Sequence, residues 1–476
     1  MQRIAAPPLD QRLQRRYLML VQSHMRAAPE LAAGVASLPS VSSSFAGAQA
    51  AWRFLNNERV TLSALVEPLR EAGRRATAAS QAPFVLLAHD WSKLAFSHSS
   101  TKRDVVQLTH ESDIGYELMA SLLVSADNGA PLAPMEMHVL TADGVLSTRR
   151  PAPRRRAHLE QVLPAMNASA RWGLSKPIVH VIDREADSID HYRRWDAAGH
   201  KWLVRADDRR VRWSGQSFLL SEVAGRLRRR RQFSCAGPAS YRGRQAQLWV
   251  AETEVVLDRP AKKNVNGRKY EKPGRPVALR LIVAQIRNGA GRVLAQWLLL
   301  ANVPADWATT ELLARCYYWR WRIESFFKLL KSHGQQLEQW PQQTGAAIAR
   351  RLLIAAMACV VVWQLQHDDS SQATELKNVL VSLSGRHMKR TRPHTAPALL
   401  AGLCSLLSVL ALLEHYDLRQ LKQLAAAIPL RDTGSMCRYQ CLGGEGWGGG
   451  ESAAMDSTTS SHQLSLKLLI EERDPE

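Results

Sequence analysis

Phe84-Val-Leu-Leu-Ala-His-Asp90 is a short apolar run, entered from Pro83 and closed by a carboxylate. A run of that length, bounded by a turn residue, reads as a buried β-strand. The same pattern recurs at Ile178-Val-His-Val-Ile-Asp183, and another apolar run covers Leu118 to Val124. Helical periodicity lies between and after them, at about 157–170 and 188–198, the alternation expected of an α/β core. The fold class is therefore α/β, a mixed sheet with flanking helices. Asp90 and Asp183 each close a strand, and acids at strand ends gather along one edge of such a sheet, where ligands bind. Taken singly, each would serve equally well as a turn or cap residue.

Upstream, residues 1–79 form a small basic helical module, with a Ser/Gly-rich break at Ser40 to Gly47. Downstream, strand-like runs dominate 201–303 as a β-rich insertion, within which Lys262 to Arg275 reads as a turn-rich basic loop. The division that follows is a core at 80–365, a helical C-terminal region at 366–440, and a Gly- and Ser-rich tail at 441–476 that should be flexible. Six cysteines are scattered too widely for a zinc knuckle or a disulfide framework and read as reduced core thiols. Leu352 to Leu365 and Leu399 to Leu413 are apolar stretches of about 15 residues where a membrane span needs about 20, so both read as buried helices. With no secretory pattern in the first 40 residues, a cytoplasmic location is expected.

Composition sets a further bound. Sixty-three Lys and Arg against 43 Asp and Glu give a formal charge of +20, which calls for a polyanionic partner. No basic amphipathic helix with an isolated apolar face is evident, which disfavours a membrane surface as that partner. Arg228-Arg-Arg-Arg231, Arg154-Arg-Arg156 and the 262–275 loop could each track phosphates or simply be solvated.

A third carboxylate lies in Cys316-Tyr-Tyr-Trp-Arg-Trp-Arg-Ile-Glu-Ser-Phe-Phe-Lys-Leu-Leu-Lys331, which lacks Gly and Pro and is predicted to be one helix. Tyr317, Arg320, Glu324, Lys328 and Lys331 fall within an arc of about 80°, beside an aromatic packing face carrying Trp319, Ile323, Phe326, Phe327 and Leu330. By itself this helix reads first as a solvated face with intrahelical ion pairs. If it packs beside the edge holding Asp90 and Asp183, three carboxylates meet, and their repulsion calls for divalent cations with hard oxygen preference. A pair of such ions can activate a water or 3′-hydroxyl and stabilise the leaving oxygen.

The spacing Tyr317-x2-Arg320-x3-Glu324-x6-Lys331 resembles the signature of the insertion-sequence-four family of bacterial transposases, and Asp183-Arg-Glu-Ala-Asp187 resembles the second-aspartate motif of its transposon-five type. Trp52-Arg-Phe-Leu-Asn-Asn57, Trp202-Leu-Val-Arg205 and Trp297-Leu-Leu-Leu300 are similar to further segments of that type. The resemblance implies a ribonuclease-H-like core and a helical N-terminal DNA-binding module. Asp90, Asp183 and Glu324 would be catalytic and hold two Mg²⁺ ions, with Mn²⁺ as a substitute. Trp297 would be a wedge in the place of a flipped nucleotide, which Arg205, Tyr317 and Arg320 would contact. Lys328 and Lys331 would neutralise phosphates, and Arg16 and Arg53 would touch the element's terminal sequence. The implied activity is cut-and-paste transposition by a homodimer on double-stranded DNA, with transposon ends and target DNA as partners. The bland alternatives are a core tryptophan for Trp297 and a strand-end surface charge for Arg205. A catalytically inactive DNA-binding relative, or a nuclease without strand transfer, are the rival functions.

Overall fold

The computed structural model describes residues 4–26, 41–96, 101–241, 244–265, 268–386 and 394–427; the C-terminal tail lies outside these. Four helices come first: α1 (Gln11–Arg26), α2 (Val41–Leu55), α3 (Leu62–Leu65) and α4 (Glu67–Ala79). The predicted break at Ser40 to Gly47 is overturned, since α2 runs through Gly47. One interior glycine costs only about 1 kcal/mol, and burial of Ala51, Phe54 and Leu55 at helical spacing outweighs it.

The sheet follows. β1 (Val85–Ala95), β2 (Val106–Gln107), β3 (Ile114–Ser125), β4 (Pro131–Thr141) and β5 (Gly144–Ser147) pair antiparallel. Next, α5 (His158–Ser169), β6 (Ile178–Ile182), a single 3₁₀ turn (Arg184–Ala186), α6 (Ile189–Ala197) and β7 (Lys201–Arg205) build two crossovers that lay β6 parallel to β1 and β7 parallel to β6. Parallel neighbours need connections of this length, and helices supply them. The resulting order β4-β3-β1-β6-β7, three antiparallel strands continued by two parallel ones, is a ribonuclease-H-like mixed sheet with flanking helices.

Residues 208–301 prolong that sheet instead of leaving it. They form β8 (Arg210–Trp213), β9 (Gln216–Leu219), α7 (Leu220–Arg229), β10 (Ser234–Tyr241), β11 (Arg244–Leu257), the separate pair β12 (Ala261–Val265) and β13 (Arg268–Lys272), β14 (Val277–Arg287) and β15 (Val293–Ala301). β15 pairs with β7, so that β15-β14-β11-β8-β9 extend one sheet of 13 strands among the described residues. The basic segment read as a loop is a β-hairpin, with Val265 opposite Arg268. Its sequence signal, the dipeptide Asn266-Gly267, is the commonest two-residue hairpin connection.

Helices make up the last of the described residues: α8 (Thr310–Trp319), α9 (Arg322–Leu330), α10 (Gly345–Gln366), α11 (Ser371–Leu383), α12 (Ala396–Leu413) and α13 (Leu418–Ala426). The single helix predicted over 316–331 is corrected to two, α8 and α9. At the junction Arg320, Trp321 and Ile323 donate to carbonyls three residues back, the tighter winding of a 3₁₀ turn. Two anchors hold the junction in place. Arg322 Nε donates to the Gly129 carbonyl at 2.8 Å, and Gly129 has φ +72°, with room for no Cβ because Trp319 Cδ1 would stand 2.2 Å from it.

α10 and α12 are both long and apolar enough to cross a membrane. α10 is the central helix of the larger core, with 89% of its apolar window buried. For α12 the expectation of a buried helix is corrected: only 33% of its window is buried, and Val409, Leu410 and Leu413 are exposed. Of the cysteines described, Cys316, Cys359 and Cys404 are buried and Cys235 is exposed, and none of the four is in a disulfide.

Candidate active site

Strand register brings the first two acids together. β1 and β6 pair from Val85 opposite Ile178 to Ala88 opposite Val181, and two further steps in that register set Asp90 beside Asp183. The expectation that Asp90 ends its strand is corrected. β1 continues to Ala95 because β3 still pairs with it, with Ala120 opposite Asp90; it is the parallel neighbour β6 that stops. β6 stops because Asp183 caps the 3₁₀ turn, its Oδ1 accepting from the Arg184 N–H at 2.7 Å. Asp90 Oδ1 accepts from the Trp91 N–H at 2.8 Å.

The third acid arrives on α9, and one guanidinium collects all three. Arg320 Nη1 lies 3.0 Å from Asp90 Oδ2, and Nη2 lies 3.4 Å from Asp183 Oδ2 and 2.8 Å from Glu324 Oε1. The Arg320 side chain is 3% exposed, against 24% for Asp90, 40% for Asp183 and 28% for Glu324, so the cation is the buried hub and the acids form its partly open rim. Tyr317 donates its hydroxyl to Asp183 Oδ1 at 3.0 Å. The kink at Arg320 aims α8 and α9 jointly at the strand edge: Tyr317 comes from α8, Glu324 from α9, and Arg320 from between them.

Environment separates the three carboxyls. Burial pushes Glu324 up to about 7, with Arg320 opposing and Asp90 adding repulsion. Asp90 is also raised, by burial first, against the pull of Arg320. Burial would raise Asp183 as well, but Arg320, the Arg184 N–H, Tyr317 and the charge of Arg205 outweigh it and hold it below its ordinary value. For Arg320 itself, burial is outweighed by Tyr317 and the three acids, so it stays firmly protonated.

The other residues singled out in the sequence distribute as follows. Arg205 ends β7, half-buried, close enough to act on Asp183. Trp297 lies on β15, half-buried, its ring edge-on to Tyr318 at 5.1 Å between centroids. Lys331 donates to the Lys93 carbonyl and lies 3.4 Å from Glu338. Lys328 sits in the last turn of α9, one turn beyond Glu324. Arg16 and Arg53 belong to α1 and α2, which pack against α10.

Sequence reasoning missed two features. Arg320 stood out as a DNA contact but not as the hub of the acids, although its place four residues before Glu324 was visible. Behind the acid pair, His89 Nε2 and His180 Nδ1 lie 2.9 Å apart, and His89 Nδ1 lies 2.9 Å from Ser121 Oγ. The signal was a histidine inside each otherwise apolar run.

The donor set, three carboxylates with hard oxygens, suits divalent cations and nothing softer. Their oxygens gather on one guanidinium, which carries positive charge at the point where cations would neutralise them. As the side chains stand, among the described residues no group of three His, Cys, Asp or Glu is arranged to hold an ion; Asp90, Asp183 and Glu324 would do so once turned from Arg320.

A ribonuclease-H-like sheet with three acids gathered where β6 ends beside β1 defines the acid-triad class of that fold. A family model described as the transposase DDE domain matches residues 119–361, and one described as transposase DNA-binding matches residues 9–60. The first spans half of the sequence, and the chain belongs to the transposase DDE domain family. That stretch carries Asp183 and Glu324 and begins downstream of Asp90. Among solved structures, the cryo-EM structure of the piggyBac transposase synaptic complex with hairpin DNA is similar at 12% identity and a TM-score of 0.30, over 88% of this chain and 77% of that one. No curated protein matches the chain.

Proposed function

We propose that this transposase, of the insertion-sequence-four family and transposon-five type, performs cut-and-paste transposition. One strand at each element end is nicked, the freed 3′-hydroxyl attacks the opposite strand to form a hairpin, water reopens it, and the 3′-end is joined to target DNA. All four steps are in-line phosphoryl transfers at one site. The observation that carries the reading is the convergence of Asp90, Asp183 and Glu324 on Arg320.

Two Mg²⁺ ions, with Mn²⁺ able to substitute, would activate the attacking oxygen and stabilise the leaving one. The protein's own groups do the rest. Asp183, kept ionised by Arg320 and Tyr317, would hold the ions together with Asp90 and Glu324. Glu324, which burial raises to about 7, would have to release its proton before serving as a ligand. Arg320 would turn from the acids toward the DNA, where it would join the contacts to the flipped nucleotide. Arg205 and Tyr317 hold the flipped nucleotide and Trp297 fills its place in the stack; extruding one base costs a few kcal/mol. Lys328 and Lys331 offset backbone charge. The helical module, through Arg16 and Arg53, reads the terminal sequence.

Two ends must be cut in concert, so we infer a homodimer on the DNA, with the exposed apolar residues of α12 and α13 as its contact surface. In the cell this places the protein in the cytoplasm, on the nucleoid.

The test is incubation of the purified protein with duplexes carrying its own element's ends and Mg²⁺, beside Asp183→Ala. The variant should bind the ends and cut nothing. Equal cleavage by the variant removes Asp183 from the site. Binding without cleavage by the wild type points to an inactive relative, and cleavage without strand-transfer products points to a nuclease.

A further inference from the structure

The sheet ends, on the side away from α10, in arginines. α7 closes on Arg226, Arg228 and Arg229, Arg230 and Arg231 follow, and Arg287 at the end of β14 lies close enough to Arg228 to feel its charge. Three of these guanidiniums lie over aromatic rings: Arg226 over Phe218 at 3.9 Å, Arg230 over Trp213 at 5.3 Å, and Arg287 over both Phe233 and Trp249 at 4.7 Å. Arg228 to Arg231 are exposed, and among the described residues none of the six forms an ion pair, whereas Arg212 nearby does, with Asp258.

Six cations without a carboxylate repel one another. The helix C-terminus and the ring contacts at this exposed site return little of that repulsion, so the patch is not a device for stability. Stacking uses the face of a guanidinium and leaves the in-plane N–H donors of Arg226 and Arg230 to match phosphate oxygens two at a time, whereas Arg287 already donates from Nε and Nη2 to Gln285 Oε1. It also removes side-chain freedom before any partner arrives, which lowers the entropic cost of binding. Across the sheet, β6 and β14 are separated by β7 and β15, so the patch begins, at Arg287, roughly 14 Å to the side of the acids at about 4.8 Å per strand step. A duplex seated on the acids covers that lateral distance in about four base pairs at 3.4 Å each.

We propose that this arginine patch grips the phosphate backbone of duplex DNA without reading its sequence. It rests on the transposition reading and adds to it a second hold, on the opposite side of the acids from the helical module.

The experiment is fluorescence anisotropy of the full-length protein with a labelled duplex of arbitrary sequence and with an element-end duplex, each across a range of NaCl. The triple variant Arg228→Gln, Arg229→Gln, Arg231→Gln should weaken both by a similar factor and flatten the plot of log K against log salt by roughly 0.9 for each phosphate it no longer neutralises. The same positions changed to Lys should restore the slope. If the triple Gln variant melts lower than wild type, the three single substitutions at these exposed positions carry the same comparison. Unchanged affinity and slope in folded variants would overturn the proposal. So would patch-dependent binding to phosphatidylglycerol vesicles with duplex binding unaffected. A protein that cuts no ends but still shows a patch-dependent slope would lose the transposition reading and keep this one.

Discussion

His89 and His180 join β1 to β6 by a 2.9 Å contact between ring nitrogens, directly behind the strand edge where Asp90 and Asp183 meet. Both rings are buried, and burial lowers His89 to about 4 and holds His180 well below its ordinary value, so the link is between neutral rings. Replacing His89 with Leu leaves His180 Nδ1 and Ser121 Oγ without this partner, which costs about 1–3 kcal/mol for a buried polar group. Urea unfolding should show that loss, together with weaker end cleavage. Stability equal to wild type would mean the pair does not hold the register.

Arg320 offsets three carboxylates, so Arg320→Ala leaves them to repel one another. Removing the buried cation leaves three partly exposed carboxylates unpaired, which costs less than the ~3–5 kcal/mol of a fully buried pair, and the loss should be largest at neutral pH without divalent metal. Added Mg²⁺ should then raise the melting temperature of the variant more than that of wild type, because no cation competes for the oxygens. Equal Mg²⁺ shifts in the two proteins would show that Arg320 does not hold the place of the ions.

Gly129 should tolerate no side chain. Gly129→Ala demands a positive φ of an L-residue and drives a methyl into the Trp319 ring, at a cost of at least about 1–3 kcal/mol. Because Arg322 is tied to the same carbonyl, cleavage should fall by more than denaturant stability alone accounts for. Wild-type cleavage in the variant would free the α8–α9 junction from this anchor.

Acid should loosen the docking of α1. His24 is buried against Gln335, 2.7 Å from its Oε1, and burial, with Arg351 adding repulsion, depresses it to about 3. The unfolded chain therefore binds a proton that the folded chain refuses between about pH 6.5 and 3. Stability present above pH 6.5 is lost as pH falls through that window, with a slope near 1.4 kcal/mol per pH unit for one group. Thermal melts of His24→Gln across that range should show a shallower decline, and parallel curves would discard His24 as a source of acid sensitivity.

Much of this was legible in the sequence because it depended on short-range pattern. Phe84 to His89 and Ile178 to Ile182 announced buried strands, and the spacing around Glu324 announced a helix with an aromatic packing face. What escaped depended on neighbours far along the chain. Asp90 seemed to end a strand because the apolar run ends there, yet β3 carries pairing on to Ala95. The break at Arg320 has no Gly or Pro to mark it; it follows from Trp319 and Arg322 being fastened to the β3–β4 turn. The Ser/Gly stretch of α2 became helical because Phe54 and Leu55 bury at its far end. α12 looked like core by composition, but composition does not say whether a partner covers it.

The pairing of β1 with β6 separates what can drift over evolution from what cannot. Asp90 and Asp183 are 93 positions apart, as are Val85 and Ile178, the first pair in register. Additions or deletions in the intervening hairpins and in the approach to α5 alter that count without moving either acid, and descendants can lengthen or trim them freely. A single residue gained or lost inside either short strand turns its aspartate to the opposite face, so lineages that keep the chemistry should vary in hairpin length and hold both strand lengths fixed.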